Sequence, residues 1–400
     1  MADLNDLKRY SQTDEEKLAL LSDLRSQAKR RKVLRSINFS YVPDASKDYA
    51  EETSDYGYEK FAKIRLEKPK RYYSKLPKSK YCPKCGREFS DSKISCPDCM
   101  VKLKRIDDRV DVRYIESKPE FEFPGSRVFE SFDEIFTDEN LKRICQFDFS
   151  INDYYEIIRS IKAESFKNLE GMLNANGIEL DDLPIVDKVM LYAKSFVEVD
   201  FKAYGPTLGY FEYNRIRIDD RQRKSLQITT VLHELTHFLV KEILTRTLCR
   251  ILDATKNEFV ESFITFILSH IPLCRLFDEY AAHTVEGRFT VFGYQDYSSF
   301  VSLQKEMPQE DIEIAKMIGN SFSISAKDIL ESFLDFDLRE EIKEQFMADT
   351  IEDPDYSKLA FESCKSLTDD GMMQAIGLIL LDGFENHDTE LLERYREQFQ

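Results

Sequence analysis

The sequence predicts an α+β fold, and three observations carry that expectation. In the segment from Tyr210 to Ile218, aromatic and β-branched residues alternate with charged ones over at least Asn214 to Ile218, as in a half-exposed strand. Directly after it, apolar residues recur three and four apart, first at Leu232, Leu235, Leu239 and Ile243, and predict long amphipathic helices. Far upstream, two Cys-x-x-Cys pairs mark a small unit of a different kind.

Taken in chain order, the first element is a helix from about Thr13, where Thr13-x-x-Glu16 forms a capping box, ending in the basic run Lys29 to Arg35. Residues from about Tyr41 to Glu67 show little periodicity and read as a connection. The stretch Lys68 to Lys80, basic with interleaved tyrosines, leads into the cysteine pairs. Through Arg105 the chain holds 25 Lys and Arg against 16 Asp and Glu, a net of +9, which leaves −26 for the rest of the −17 total. Clustered cations suit a phosphate backbone, so a nucleic acid or an acidic partner protein is expected at this end. A solvated linker lying against the acidic remainder of the same chain is the other reading.

Cys82-Pro83-Lys84-Cys85-Gly86 and Cys96-Pro97-Asp98-Cys99 supply four thiolates in two tight turns, a set suited to a closed, tetrahedral structural Zn²⁺. This pattern resembles a zinc ribbon; a redox dithiol or a disulfide pair is the competing reading. Such a site has no open position, and its metal takes the place of a core that so short a segment cannot build. The remaining Cys145, Cys249, Cys274 and Cys364 stand singly among apolar residues and are expected as buried free thiols.

The segment His233-Glu234-Leu235-Thr236-His237 places two imidazoles one helical turn apart with a carboxylate between them. Both rings can then reach one Zn²⁺, and Glu234 can take a proton from a metal-activated water. A buried helix whose histidines make structural hydrogen bonds is the bland alternative. A catalytic zinc needs a third ligand. No Gly and third His follow within the next few residues, which excludes the metzincin continuation. At Asn257-Glu258 the chain resembles the gluzincins, whose second motif is of the Asn-Glu-x-x-x-Asp type. The resemblance implies Glu258 as ligand, with Ser262 where the family has a bracing Asp; Glu261 stands as the second choice.

The order helix (Asp182 to Ser195), strand (Phe196 to Tyr204), strand (Tyr210 to Ile218), metal helix, glutamate helix is similar to the minigluzincins of ImmA/IrrE or SprT-like type. That resemblance covers roughly residues 180 to 285 and implies a zincin-like core cutting proteins or peptides. An oxyanion donor is expected from the following block, with His283, Tyr280 and Arg288 as candidates. From about Met307 onward helices continue without a catalytic motif.

The expected organisation is therefore a basic helix and linker (1–80), a zinc ribbon (81–105), a gluzincin-like metallopeptidase core (106–300) and a helical C-terminal region (301–400). The expected function is zinc-dependent peptide hydrolysis, with His233, His237 and Glu258 on a catalytic zinc, Cys82, Cys85, Cys96 and Cys99 on a structural one, and Glu234 and His283 in catalysis. A zinc-ribbon regulator that binds nucleic acid or protein, its second metal domain inert, is the alternative; a metal-dependent hydrolase of a non-peptide bond is a third class. No apolar run reaches membrane-spanning length and the N-terminus lacks the form of a secretory signal, so no membrane partner and a cytoplasmic location are expected.

Overall fold

Helices dominate and strands are confined to small sheets, an α+β arrangement. The computed structural model describes residues 39–40, 78–84, 87–90, 92–106, 110–201, 208–290, 298–305, 307–349 and 364–399. The expected helix from Thr13, the basic run to Arg35, the connection from Tyr41 to Glu67, most of Lys68 to Lys80, and Cys85 lie outside these residues.

Strand β1 (Phe39–Ser40) pairs antiparallel with β8 (Ser366–Leu367). Strands β2 (Lys78–Tyr81), β3 (Glu88–Ser90) and β4 (Lys104–Arg105) form an antiparallel sheet in the order β3-β2-β4, which carries Cys82, Cys96 and Cys99 at its turns. The third sheet has the order β5-β7-β6. In it β5 (Glu198–Phe201) runs parallel to β7 (Arg215–Ile218), and β6 (Gly209–Glu212) runs antiparallel to β7. Strand β6 is thus an edge.

The expected single strand from Tyr210 to Ile218 is in fact this β6–β7 hairpin. Tyr213 and Asn214 both take positive φ, 48° and 59°, giving a two-residue turn that matches the strand twist. Asn tolerates that conformation, and here its side chain is anchored as well: Nδ2 donates to Glu261 Oε1 at 2.8 Å and Oδ1 accepts from Lys241 Nζ at 2.6 Å.

Twelve described helices follow one another: α1 (Phe132–Ile135), α2 (Asp138–Gln146), α3 (Ile151–Asn176), α4 (Ile185–Lys194), α5 (Lys224–Leu252), α6 (Glu258–His270), α7 (Pro272–Phe289), α8 (Ser298–Gln304), α9 (Gln309–Glu331), α10 (Phe336–Ala348), α11 (Asp369–Asn386) and α12 (Thr389–Phe399). Helix α4 begins at Ile185 rather than Asp182, because a 3₁₀ turn over Leu180–Asp182 and Pro184 precede it. Helix α5 is buried on nearly every face, carrying buried polar and charged residues among its apolar ones, and occupies the centre, covered by α4 and the mixed sheet on one side and by α6 and α7 on others.

One continuous apolar core runs from Val112 to Leu392, so the C-terminal helices share it with α5. Gly319 on α9 permits the close crossing with α7, since a Cβ there would lie 2.5 Å from the Phe277 carbonyl oxygen. No single helix among the described residues is long and apolar enough to cross a membrane.

Candidate metal centre and cleft

Helix α5 places His233 and His237 on one face, and their Nε2 atoms approach to 3.3 Å. Two ring nitrogens facing each other so closely suit a shared cation. The opposite ring atoms are committed elsewhere: His237 Nδ1 lies 2.8 Å from Asp278 Oδ2, and His233 Nδ1 lies 3.1 Å from Glu286 Oε2. A carboxylate on Nδ1 holds the proton there and leaves Nε2 as a donor to metal.

The third member of the group is Glu279, one residue after Asp278 on α7. Its carboxylate oxygen stands 3.7 Å from His233 Nε2, and the ligand atoms of His233, His237 and Glu279 lie within 4.8 Å of one another. Ser299 Oγ donates to Glu279 at 2.8 Å. These residues can hold a metal ion, and their N,N,O chemistry fits one.

The structure does not bring Glu258 or Glu261 to the histidines. Asn257-Glu258 is a helix start: the Asn257 side chain caps α6 by accepting from the Val260 N–H, and Glu258 opens its first turn. The Ser262 hydroxyl bonds back to the Glu258 carbonyl at 2.6 Å instead of bracing a histidine. Glu261 is committed to Lys241 and Asn214. Burial would raise its carboxyl, but the Lys241 and Lys256 charges bring it down to about 2.

Asp278, Glu279 and Glu286 were not anticipated. Their signal was present as a polar stripe in a helix otherwise apolar, Arg275, Asp278, Glu279, His283 and Glu286 recurring at helical spacing between Pro272 and Phe289.

Glu234 lines the cleft and is buried, which raises its carboxyl pKa against the opposing charges of His233 and His237. Burial also works against a proton on His237, yet the Asp278 carboxylate lifts that ring to about 10. Burial likewise opposes charge on Glu279, and the charges of His237 and His233 bring it down to about 2.

Of the three expected oxyanion donors, only His283 reaches the cleft. Tyr280 is buried against Phe300, and Arg288 donates to Glu331 at 2.7 Å. His283 is held between Glu286 Oε2, 3.2 Å from Nδ1, and Ser299 Oγ, 2.6 Å from Nε2; burial lowers its pKa.

The cleft encloses about 820 Å³. The edge of β6 borders it, and Gly209 lets that strand lie against α5, since a Cβ would meet Thr230 Cγ2 at 2.5 Å and Arg217 O at 2.9 Å. Tyr395 of α12 closes the side near the hairpin turn, its ring 6.0 Å from that of Tyr213.

Two further groups among the described residues could hold a metal: His233, His283 and Glu286, which shares His233 with the first, and Cys82, Cys96 and Cys99. Cys82 and Cys96 are fully buried, and the Cys99 N–H points at Cys96 Sγ at 3.5 Å. Cys145, Cys249 and Cys274 are buried free thiols, as expected, whereas Cys364 is partly exposed. No family model matches the chain, and no curated protein or solved structure matches it.

Proposed function

We propose that the chain is a zinc-dependent metallopeptidase with a zincin-like core, in which His233, His237 and Glu279 are the protein ligands and Glu234 is the proton carrier. What supports this most directly is the convergence of His233 Nε2, His237 Nε2 and the Glu279 carboxylate beside a buried Glu234, in a cleft bordered by β6, on whose outer side no other described strand pairs and whose Phe211 N–H meets the Glu234 carboxylate. Two imidazoles, one carboxylate and an open side are a donor set suited to catalytic zinc. When bound, Zn²⁺ supplies Lewis acidity for the scissile carbonyl and acidifies water.

The residues do the rest. Glu234, its affinity for a proton raised by burial, takes one from the attacking water and delivers it to the leaving amine. Asp278 and Glu286 fix the ring orientations of His237 and His233. The edge of β6 hydrogen-bonds an extended peptide as an added strand. His283 is the donor we assign to the developing oxyanion, its Nε2 resting on Ser299 until a substrate carbonyl replaces that hydroxyl. In the same reading Cys82, Cys85, Cys96 and Cys99 hold a structural zinc in a ribbon-like unit.

Elemental analysis of the native protein is then expected to give two zinc ions per chain. Glu234→Gln should keep both and lower kcat on a mixed peptide library by about 10²–10⁴-fold. Undiminished cleavage by that variant would overturn the mechanism, and a native chain without metal in the cleft would overturn the reading itself.

A further inference from the structure

At the hairpin end of the cleft the character of the lining changes. Around the metal group the lining carries Glu234, Asp278, Glu279 and Glu286, with only histidines as cations. Towards the hairpin turn come Lys241, Arg275, Ser269, Tyr213 and Tyr395. Two helices set this up independently: Lys241 stands one turn past His237 on α5, and Arg275 stands one turn before Asp278 and Glu279 on α7.

The two cations differ in what they have left to offer. Lys241 Nζ is buried and spent on Asn214 and Glu261. Arg275 is exposed, and its guanidinium makes no ion pair or hydrogen bond among the described residues, although its charge reaches Tyr395 and His270. Tyr395 is already placed, its hydroxyl 3.1 Å from His270 Nδ1. Glu212 is the acid at this end: it lines the cleft too, and its charge reaches Tyr395 and Tyr213, so Arg275 must outweigh it for a substrate carboxylate to be held.

We propose that this end is a carboxylate subsite in which Arg275 takes a substrate carboxylate lying about two residues from the scissile bond. The spacing follows from one helical turn, about 5.4 Å, against about 3.3 Å per residue of extended peptide. The carboxylate is either the free C-terminus of the substrate or an Asp or Glu side chain. The inference deepens the metallopeptidase reading and rests on it for the direction of the peptide.

Short peptide hydroxamates test it without requiring turnover, because the hydroxamate anchors the probe on the metal. Four probes carry the hydroxamate followed by Ala-Ala with a free carboxylate, Ala-Ala-amide, Ala-Asp-amide or Ala-Asn-amide, and binding to the zinc-loaded full chain is measured by calorimetry. The free-acid or the Asp probe should bind at least about fivefold tighter than its uncharged partner, a preference that weakens with salt. Whichever pair shows the preference identifies the source of the carboxylate.

In Arg275→Gln the preference should vanish while the Ala-Ala-amide probe binds as before. Equal binding within both pairs by the native protein, or a preference that survives in Arg275→Gln, overturns the subsite; so does failure of every probe to bind. Peptide cleavage is followed in parallel. Ordered probe binding without any cleavage would leave the subsite standing and sink the hydrolase.

Discussion

Among the described residues, the apolar packing around Cys82 and Cys96 amounts to Phe89 and Leu103, with Cys99 and Val101 beside them, whereas the His233–Glu279 group stands on a core that runs from Val112 to Leu392. One group sits in three short strands, the other on two long helices whose positions are fixed by burial well away from any ligand. A segment with so little to bury depends on its metal for folding, while a site built on a preformed core depends on it only for chemistry. The same type of ion would thus be a structural member in one region and a reagent in the other. Carboxylates sharpen the contrast: Asp278 and Glu286 hold the imidazoles of the cleft in place from behind, so its geometry does not wait for metal.

The largest expected effect comes from removing metal altogether. A strong chelator added to the full chain should strip amide protection from Lys78 to Arg105, since binding energies of about 10 kcal/mol or more are folding energy in such units. Helices α5 and α7 should keep theirs. Hydrogen exchange read by mass spectrometry follows both regions at once, and collapse of both together would erase the distinction drawn here.

Next in size are the ligands of the cleft. Glu279→Gln should release its zinc while the cysteine unit keeps its own, and Asp278→Asn should weaken zinc in the cleft by about 10–100-fold through His237. Glu258→Gln should leave both zinc ions bound. If instead Glu258→Gln empties the cleft and Glu279→Gln does not, the assignment of the third ligand is wrong. Titration with a zinc-sensitive dye at constant pH distinguishes these outcomes.

Two of the three ligands proposed for the cleft were legible in the sequence and the third was not, for a physical reason. His233 and His237 are related by the local period of one helix, so spacing alone brings them together. The acid that meets them must come from another helix, and which acid arrives is decided by packing. Asn257-Glu258 misled because an Asn before a Glu also makes a good helix start, and that is the role it has. Similarly, alternation marked the Tyr210 to Ile218 region as extended but hid its turn, because Tyr213 has no turn propensity and only Asn214 hints at one. Helices α5 and α9 were readable from periodicity, whereas the 26-residue α3 was not called, and the sharing of one core between α5 and the C-terminal helices was not readable either, since that depends on contacts far apart in sequence.

Glu261 gives a smaller effect with a defined pH signature. Its carboxyl is held at about 2 in the folded protein against an ordinary 4.5, so burial of the ion pair with Lys241 favours the charged form only through its partners. A depressed carboxylate contributes stability in full above its unfolded pKa and loses it as pH falls through the folded value. Glu261→Gln should therefore cost about 3 kcal/mol near neutral pH, most of which disappears between pH 4.5 and pH 2. Because Glu261 serves the hairpin turn rather than the metal, zinc in the cleft should remain bound at neutral pH. Urea unfolding of the variant across this pH range, with zinc content measured alongside, checks both parts, and a cost independent of pH would contradict the ion-pair account.

The smallest effect tests whether the two regions are independent at all. Between the cysteine unit and the core run two ion pairs, Lys84 to Glu344 at 3.4 Å and Lys104 to Asp182, with every partner between about a third and three-fifths exposed. The nearby Glu344 carboxylate raises the Lys84 pKa, but solvent and salt screen a contact this open, and such pairs are worth about 0–1 kcal/mol. Glu344→Gln should accordingly change the urea midpoint of the core by less than about 1 kcal/mol in equivalent stability and leave the exchange rates of Lys78 to Arg105 in the zinc-loaded protein unaltered. A marked loss of protection in the cysteine unit, or a clear shift in the core, would mean that the regions stabilise one another through this contact. The chelation experiment would then report on a single coupled structure, and the separate roles assigned to the two metal groups would have to be drawn from chemistry alone.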